Sequence, residues 1–306
     1  MVPSISVIVP SYGRPDRLAD CILALSRLDY DPGRFEVIVV EDGSGRLAEA
    51  ESAIHAHDGR ISVTLLDKEH AGPAAARNHG AAHARYEFLA FTDDDCRPEP
   101  GWLSALAGPL TNSTDLVVGG STVNGLESNS YSAASQALVS YLYAYYRRKG
   151  EPFLASNNLA VSSDLFRRVG GFDERYPLAA GEDREFCRRY RQAGCALVHA
   201  PEAVVRHYHA LSAAGFLRQH FNYGRGARHF HQNRGGGERG VSPEPLRFYF
   251  DLVAYPLSRP ELPRRYRIAA LLLLSQIANA AGFLLTRPRT PRGDPGNGPG
   301  REPAPS

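Results

Sequence analysis

The feature that most constrains the fold of this chain is a regular alternation of short apolar runs with helix-like segments between Ser4 and Gly120. The runs are nearly continuously apolar and rich in β-branched residues, so they suit strands that helices cover on both faces. The five runs are ISVIVP, FEVIVV, ISVTLL, YEFLAF and DLVVGG. The helix-like segments between them are Arg14–Arg27, Arg46–His57, Pro73–Arg85 and Gly101–Leu110. This order predicts βαβ units and an α/β fold with a doubly wound, mostly parallel sheet.

Polar residues stand at the ends of several of these runs. They are Ser11 and Tyr12 at the first run, Glu41 and Asp42 at the second, and Asp93, Asp94 and Asp95 at the fourth. In open α/β sheets, ligands bind outside the carboxyl ends of the strands. These residues are therefore the first candidates for a binding site.

Among these groups, the three consecutive aspartates are the one whose negative charges most need compensation. Asp93, Asp94 and Asp95 would repel one another unless a cation or hydrogen-bond donors compensated their charge. A divalent cation held by oxygen ligands is also what a departing diphosphate needs to offset its growing negative charge. The triplet alone also fits a solvated acidic turn, because aspartate is a favoured turn residue.

The neighbouring motifs distinguish these two interpretations. VIVPSYGRPDRL, VIVVEDGS, GPAAARNHGAAHA and FLAFTDDDCRPEPGWL occur in this order, and a second block runs from NNLAVSSDLFRRVGGFDERY through GEDREFCRRYRQAG to VVRHYH. From Ser4 to His209 the chain resembles the family-two glycosyltransferases, which have the GT-A nucleotide-sugar fold. The resemblance implies an inverting, metal-dependent enzyme that transfers a sugar from a nucleotide-diphosphate sugar to an acceptor hydroxyl, with Mn²⁺ or Mg²⁺ as cofactor.

The resemblance also implies roles for the donor-side residues. The predicted nucleotide-sugar contacts are Pro10, Ser11, Tyr12, Asp42, Arg77, Asp93 and Asp94, and the predicted metal ligands are Asp95, Asp93 and His207. Asp42 is expected to accept a hydrogen bond from the nucleobase. The common Asp-Asp-Gly-Ser turn of the family appears here with Glu41 in its first position, which keeps the charge but puts base selectivity in doubt.

The acceptor side is represented by two adjacent carboxylates, Glu182 and Asp183. Inverting transfer needs a carboxylate that removes the proton of the attacking hydroxyl, and the resemblance assigns this general base to Asp183, with Glu182 as the second candidate. The alternative is that both residues only cap a helix and offset its dipole. Trp102 either stacks on a sugar or belongs to the core.

Four regions follow from these patterns: 1–120 as the nucleotide-sugar-binding half, 121–210 as the acceptor and catalytic half of the same GT-A domain, 211–286 as a helical, basic extension, and 287–306 as a disordered tail.

The net charge of +2 gives no general reason to expect a nucleic-acid partner. Four cysteines without a CxxC pair, and a start without a signal-peptide pattern, predict a reduced, cytoplasmic compartment.

The apolar segment Ile268–Leu285 is flanked by arginines on both sides, so the region 264–289 is a candidate for peripheral association with the inner face of a membrane. Ser275, Gln276 and Asn279 share one helical face and oppose a broad apolar arc. A core helix, a dimer helix and a membrane span are the alternatives.

Two other functions would also fit an α/β half with acidic metal ligands. A sugar-phosphate nucleotidyltransferase usually has a glycine-rich phosphate loop with basic residues, which VIVPSYGRPDRL lacks. A non-catalytic nucleotide-sugar-binding module requires that the carboxylates take no part in chemistry. The donor sugar, the base and the acceptor have no readable signature.

Overall fold

The computed structural model describes residues 2–56, 59–176, 178, 180–232 and 244–286. Its first half contains the predicted alternation of strands and helices. The elements are β1 (Ile5–Ser11), α1 (Pro15–Leu25), β2 (Phe35–Glu41), α2 (Leu47–His55), β3 (Ser62–Asp67), α3 (Pro73–Ala82), β4 (Phe88–Phe91), β5 (Cys96–Pro98), α4 (Trp102–Leu110) and β6 (Leu116–Asn124). The later elements are α5 (Ser130–Arg148), β7 (Leu159–Ser162), α6 (Ser163–Val169), α7 (Glu182–Gln192), β8 (Ala196–His207), α8 (Ala213–Gln232), α9 (Leu246–Ala254) and α10 (Arg265–Leu285).

All eight strands form one sheet in the order β3-β2-β1-β4-β7-β6-β8-β5. The half built from β3, β2, β1 and β4 is parallel throughout, and β6 pairs with β8 in parallel. The pairs β4–β7, β7–β6 and β8–β5 are antiparallel. The α/β class is therefore confirmed, and the sheet is mixed in its second half. Strands from both sides of residue 120 share this sheet, and the exact region boundaries stay predictions.

Both faces of the sheet are covered by helices, which explains the continuously apolar strands. Val7 and Val9 of β1 pack into one buried cluster with side chains of α1, α2 and α4. Ile8, between them, packs into a second cluster on the opposite face with side chains of α3, α6 and α7. Successive side chains of a strand point to opposite faces, so a strand buried on both sides needs apolar residues at every position.

The extension after β8 forms a third apolar cluster with α5, α8, α9 and α10. α8 and α10 cross with their backbones in close approach: a Cβ on Gly224 would lie 1.9 Å from the Asn279 carbonyl oxygen, and one on Gly282 would lie 1.9 Å from that of Phe221. On the other side of α8, a Cβ on Gly226 would lie 2.1 Å from the Ala180 carbonyl oxygen, just before α7. Within the predicted extension 211–286 the described residues form α8, α9 and α10, whereas residues 233–243 and the predicted tail 287–306 lie outside the described residues.

A buried asparagine just before β7 joins α4, β6 and β8. Asn158 Oδ1 accepts from Trp102 Nε1 at 2.9 Å, and Asn158 Nδ2 donates to the carbonyl oxygens of Ser121 (3.1 Å) and Ala203 (2.8 Å). Trp102 is fully buried, so it belongs to the core and cannot stack on a sugar.

We expect Asn158→Ala to lower the free energy of unfolding by roughly 2–4 kcal/mol, because it leaves a buried indole N–H and two carbonyl groups unsatisfied. Chemical denaturation measures this loss. The control is Asn157→Ala, which removes a single part-buried hydrogen bond from Thr122 at 3.2 Å and should cost less than about 1.5 kcal/mol. Equal losses in the two variants would contradict the structural role of Asn158.

Candidate functional site

The predicted strand-end residues come together at one edge of the sheet, because β2, β1 and β4 are parallel neighbours. The Asp42 amide donates to the Ser11 carbonyl oxygen at 2.9 Å, and the Gly13 amide donates to Glu41 Oε1 at 3.1 Å. The carboxylate of Glu41 thus shapes the turn after β1. Asp93, Asp94 and Asp95 follow β4 at the same edge.

Each aspartate of the triplet has its own cationic partners. Asp93 Oδ1 accepts from Arg77 Nη2 at 2.7 Å. Arg14 forms an ion pair with Asp94 and donates from Nη1 to Asp95 Oδ2 at 3.0 Å. The repulsion expected within the triplet is therefore offset in this structure by guanidinium groups. Arg14 was not among the sequence-predicted site residues, although it follows β1 directly in the motif SYGR.

Their surroundings shift the pKa values of the adjacent Asp94 and Asp95 carboxyl groups in opposite directions. Burial raises the pKa of Asp94 to about 7, against the opposing charge of Arg14. Burial acts in the same direction on Asp95, but the hydrogen bond and charge of His207, with the charge of Arg14, hold the pKa of Asp95 well below its usual range. Asp95 is consequently held in its ionised form more firmly than Asp94.

Asp95 and His207 form a pair with the donor atoms of a metal site. His207 Nε2 lies 3.2 Å from Asp95 Oδ1, and these residues and Cys96 offer ligand atoms that lie within 4.8 Å of one another. The antiparallel pairing of β5 with β8 places His207 opposite Cys96 and so brings it beside the triplet. Burial raises the pKa of the Cys96 thiol well above its ordinary value, so this thiol is a poor ligand beside a carboxylate and an imidazole. Asp93, the third predicted ligand, points to Arg77.

Asp42 anchors the segment that leads into α3. Its carboxylate accepts from Lys68 Nζ at 2.8 Å, from the Ala71 amide at 3.1 Å and from the Gly72 amide at 2.8 Å. These bonds lower the pKa of Asp42, although burial opposes them. Its carboxylate therefore supports this segment directly, and a contact with the nucleobase stays a prediction.

Tyr12 lies at the open side of this region. Its exposed ring stands 4.6 Å from the ring of His70, measured between centroids. Nδ1 of His70 in turn lies 2.9 Å from Asp42 Oδ2. Tyr12 and His70 thus form an aromatic surface next to the buried Asp42 carboxylate, beside the carboxyl ends of β1 and β2, and a planar base can stack on such a surface.

Arg77 connects the triplet with the acceptor-side carboxylates. The residue is buried, its Nη2 binds Asp93, and its Nη1 lies 3.7 Å from Glu182 Oε1. Its guanidinium carbon stands 5.5 Å from the centre of the Phe172 ring. One buried guanidinium therefore spans the carboxylates at the end of β4 and those at the start of α7.

Glu182 and Asp183 occupy the first turn of α7. The residue at the N-cap is Gly181, in a left-handed conformation, and no side chain caps this helix end, although both carboxylates stand in the first turn, where they offset the helix dipole. Burial and then the charge of Asp183 raise the pKa of Glu182 to about 8, against the charge of Arg77. Burial likewise raises the pKa of Asp183, opposed by Arg77 and by hydrogen bonding from Ser156.

Two tyrosines that sequence reasoning did not assign stand near Asp183. Burial and then the charge of Asp183 raise the pKa of Tyr143, in α5. In α8, burial raises the pKa of Tyr223 to about 12, with smaller contributions from the charges of Glu182 and Asp183. The aromatic character of α5 and the polar composition of α8 were visible in the sequence, but their position beside α7 depends on tertiary contacts.

Some polar atoms around Asp183 are buried without a hydrogen-bond partner among the described residues. These atoms include Asp183 Oδ1 and Gln219 Oε1. Gln219 Nε2 donates to the Tyr223 hydroxyl at 2.5 Å, so the Gln219 amide contacts one of the two tyrosines described above. Buried unsatisfied acceptors favour a ligand that brings hydroxyl groups.

The family model described as "Glycosyl transferase family 2" matches residues 6–170, which is more than half of the chain and includes β1, the triplet and α6. The chain belongs to glycosyl transferase family 2. This membership confirms the resemblance drawn from the motifs, and it favours a glycosyltransferase over the nucleotidyltransferase interpretation.

Two curated relatives of this family 2 chain span most of it. The pre-mycofactocin glycosyltransferase of Mycobacterium tuberculosis is 31% identical over 227 residues, which cover 72% of this chain and 46% of the relative. Glycosyltransferase AglE of Haloferax volcanii is 27% identical over 227 residues, with 74% of this chain and 73% of the relative covered. The chain thus spans about half the length of the mycobacterial relative.

Solved structures confirm the GT-A fold. The mannosyltransferase PcManGT from Pyrobaculum calidifontis, in complex with GDP-Man and Mn²⁺, has a TM-score of 0.60 and 20% identity, covering 91% of this chain and 87% of that one. S. aureus TarS 1-349 in complex with UDP has a TM-score of 0.50 and 17% identity, covering 92% of this chain and 89% of that one. At these identities the likeness concerns the fold alone.

Proposed function

We propose that this family 2 protein is a metal-dependent inverting glycosyltransferase, which moves a sugar from a nucleotide-diphosphate sugar to an acceptor hydroxyl. The observation that carries the proposal is that Arg77 forms ion pairs both with Asp93 of the donor-side triplet and with Glu182, which is adjacent to Asp183. A donor phosphate group and an acceptor hydroxyl could therefore meet within the reach of one buried side chain.

The donor side fits a divalent cation. Asp95 and His207 supply the carboxylate oxygen and imidazole nitrogen that Mn²⁺ accepts, and these two residues would hold it. When bound, the cation would offset the charge that develops on the nucleoside diphosphate as it leaves. Mn²⁺ or Mg²⁺ is thus the proposed cofactor, and the Mn²⁺ in the PcManGT complex is consistent with it.

The acceptor side fits a general base. Asp183 would accept the proton of the acceptor hydroxyl while the hydroxyl oxygen forms a bond to the anomeric carbon and the bond from that carbon to the diphosphate breaks. Attack from the side opposite the leaving group inverts the configuration. The orphaned Asp183 Oδ1 gives such a hydroxyl a partner, and the raised pKa of Asp183 makes it a stronger base than an exposed carboxylate.

For localisation we propose the cytoplasm. The support is that all four cysteines are buried free thiols, which agrees with a reducing compartment.

The test is a panel of nucleotide-diphosphate sugars incubated with the purified protein, with release of the nucleoside diphosphate measured in Mn²⁺, in Mg²⁺ and in EDTA. We expect slow hydrolysis of one donor or a few, which the cation accelerates by at least about tenfold, because the leaving group is otherwise uncompensated. The panel needs no knowledge of the acceptor. Donor binding without any turnover would favour a non-catalytic module, and equal rates in EDTA would contradict metal dependence.

A further inference from the structure

α10 is apolar on its outward side as well as on the side that packs into the protein, where Ile268, Leu271 and Leu272 are buried. Ser275 is buried, and the helix packs on α8 along the side that carries Gly282. The side chains on the opposite, outward side are apolar over about five turns. They are Tyr266, Ala270, Leu273, Leu274, Ile277, Ala280 and Leu284.

These outward side chains are large and well exposed. Leu273 is 54% exposed, Ile277 61% and Leu284 73%. α9, which packs against α10, also exposes Leu246 (77%) and Phe250 (73%). A row of exposed apolar side chains along one helix side marks an interaction site, because single exposed apolar residues are ordinary but a row of them is not. We call the outward side chains of α10 the apolar face.

Positive charge accompanies the apolar face. Between Leu246 and Leu285 the sequence holds five arginines and two acidic residues. Arg265 and Arg267 lie in the first turn of α10, directly beside the exposed Tyr266. An apolar face with basic residues at its border is complementary to an anionic lipid surface, where acyl chains take up the apolar side chains and phosphates pair with the arginines.

A second copy of the chain is a poorer match for this surface. A stripe about 27 Å long and about 10 Å wide, from the rise and diameter of a helix, presents on the order of 300 Å². A stable protein interface buries about 800 Å² on each partner. A bilayer sets no such minimum area, because lipid can surround each protruding side chain.

A bilayer-crossing arrangement also fits less well. By length and composition, α10 is the one helix among the described residues that could cross a membrane, and about a third of that stretch is buried against the protein. Its inward side packs closely on α8 through Gly282, and crossing would take this side of the helix away from its packing partner.

We propose that the apolar face lies in the interfacial plane of an anionic lipid bilayer, with Arg265 and Arg267 at lipid phosphate groups. The proposal goes beyond the transferase activity and does not depend on it, since lipid binding is measured without donor or acceptor.

The test is co-sedimentation of the full chain with vesicles of phosphatidylcholine, with or without phosphatidylglycerol, at low and high salt. We expect binding to the anionic vesicles that weakens with salt, because part of it is electrostatic. Leu273→Gln with Ile277→Gln should lower the partition coefficient by about tenfold or more, through lost apolar contact. Arg265→Gln with Arg267→Gln should lower it on anionic vesicles by about tenfold or more, and little on neutral ones.

The matched control replaces two exposed leucines elsewhere by glutamine, Leu23 (40% exposed, in α1) and Leu47 (38%, in α2). It should bind vesicles like the wild type. Arg264 is left unchanged because its Nη1 donates to the Ser128 carbonyl oxygen at 2.6 Å. Absence of wild-type binding at low salt, or unchanged binding of Leu273→Gln with Ile277→Gln, would overturn the proposal. The proposal would also be overturned by a wild-type dimer in sedimentation equilibrium that Leu273→Gln with Ile277→Gln dissociates, or by membrane-bound protein that only detergent releases.

Discussion

Asp183→Asn should abolish most transfer while leaving the donor site intact. General-base removal typically costs about a hundred- to ten-thousand-fold, and we expect a loss of this size in kcat with any competent acceptor. Asparagine keeps the size of the side chain and can still accept from Ser156. Because the fold raises the pKa of Asp183, it disfavours the charged form, and the neutral amide should leave the Tm unchanged or higher near neutral pH.

The matched control is Glu182→Gln, the adjacent carboxylate of the same helix turn. Because burial raises the pKa of Glu182, its protonated form is favoured and the amide resembles that form, so this change should cost far less. The wild-type rate should rise with pH through the raised pKa of Asp183, since the base acts only when deprotonated, and Asp183→Asn should lose this dependence. If Glu182→Gln is the more damaging change, Glu182 is the base.

Asp95→Ala should remove metal-dependent donor binding. It deletes the carboxylate whose pKa lies well below its usual range and that pairs with His207. Without this hard oxygen ligand the diphosphate charge lacks its counter-ion, so calorimetric titration with nucleotide sugar should show no gain in affinity when Mn²⁺ is added. Asp95→Asn should behave in the same way, because an amide oxygen brings no charge.

The fold control for this variant is Asp115→Ala, which breaks an exposed ion pair with Arg168. Exposed pairs contribute little, so this variant should keep both its stability and its Mn²⁺-dependent affinity. Asp95 also pairs with Arg14, so circular dichroism and a thermal melt must accompany each titration. Unchanged affinity of folded Asp95→Ala in Mn²⁺ would remove the triplet as the metal site.

Local pattern was enough to predict the first half of the fold. The run FEVIVV became β2 because β-branched residues at every position suit a strand that is buried on both faces. The strand-end positions of Asp42 and the triplet then followed from the parallel order. The short strand β5 escaped prediction, because CRP has no apolar period and its pairing with β8 joins segments more than a hundred residues apart.

Side-chain partners in the site were harder to predict than its location. Arg14 and Arg77 are charged residues in polar motifs, and nothing in their sequence context fixes which carboxylate each one meets. Arg77 is buried because α3 packs against β1 and β2, and the opposing carboxylates arrive from β4 and α7. Tyr223 likewise lies near Asp183 only because α8 packs against α7, and no local periodicity in the sequence predicts that packing.

The three close backbone contacts of α8 have a mechanical consequence. Helices that meet through side chains can slide, because rotamers repack, but contacts at Gly224, Gly226 and Gly282 leave no side chain to take up a displacement. α10, α8 and the beginning of α7 should therefore move as one stiff lever, with Asp183 at its inner end. A displacement of α10 would therefore be passed on through α8 to the start of α7, which carries Asp183.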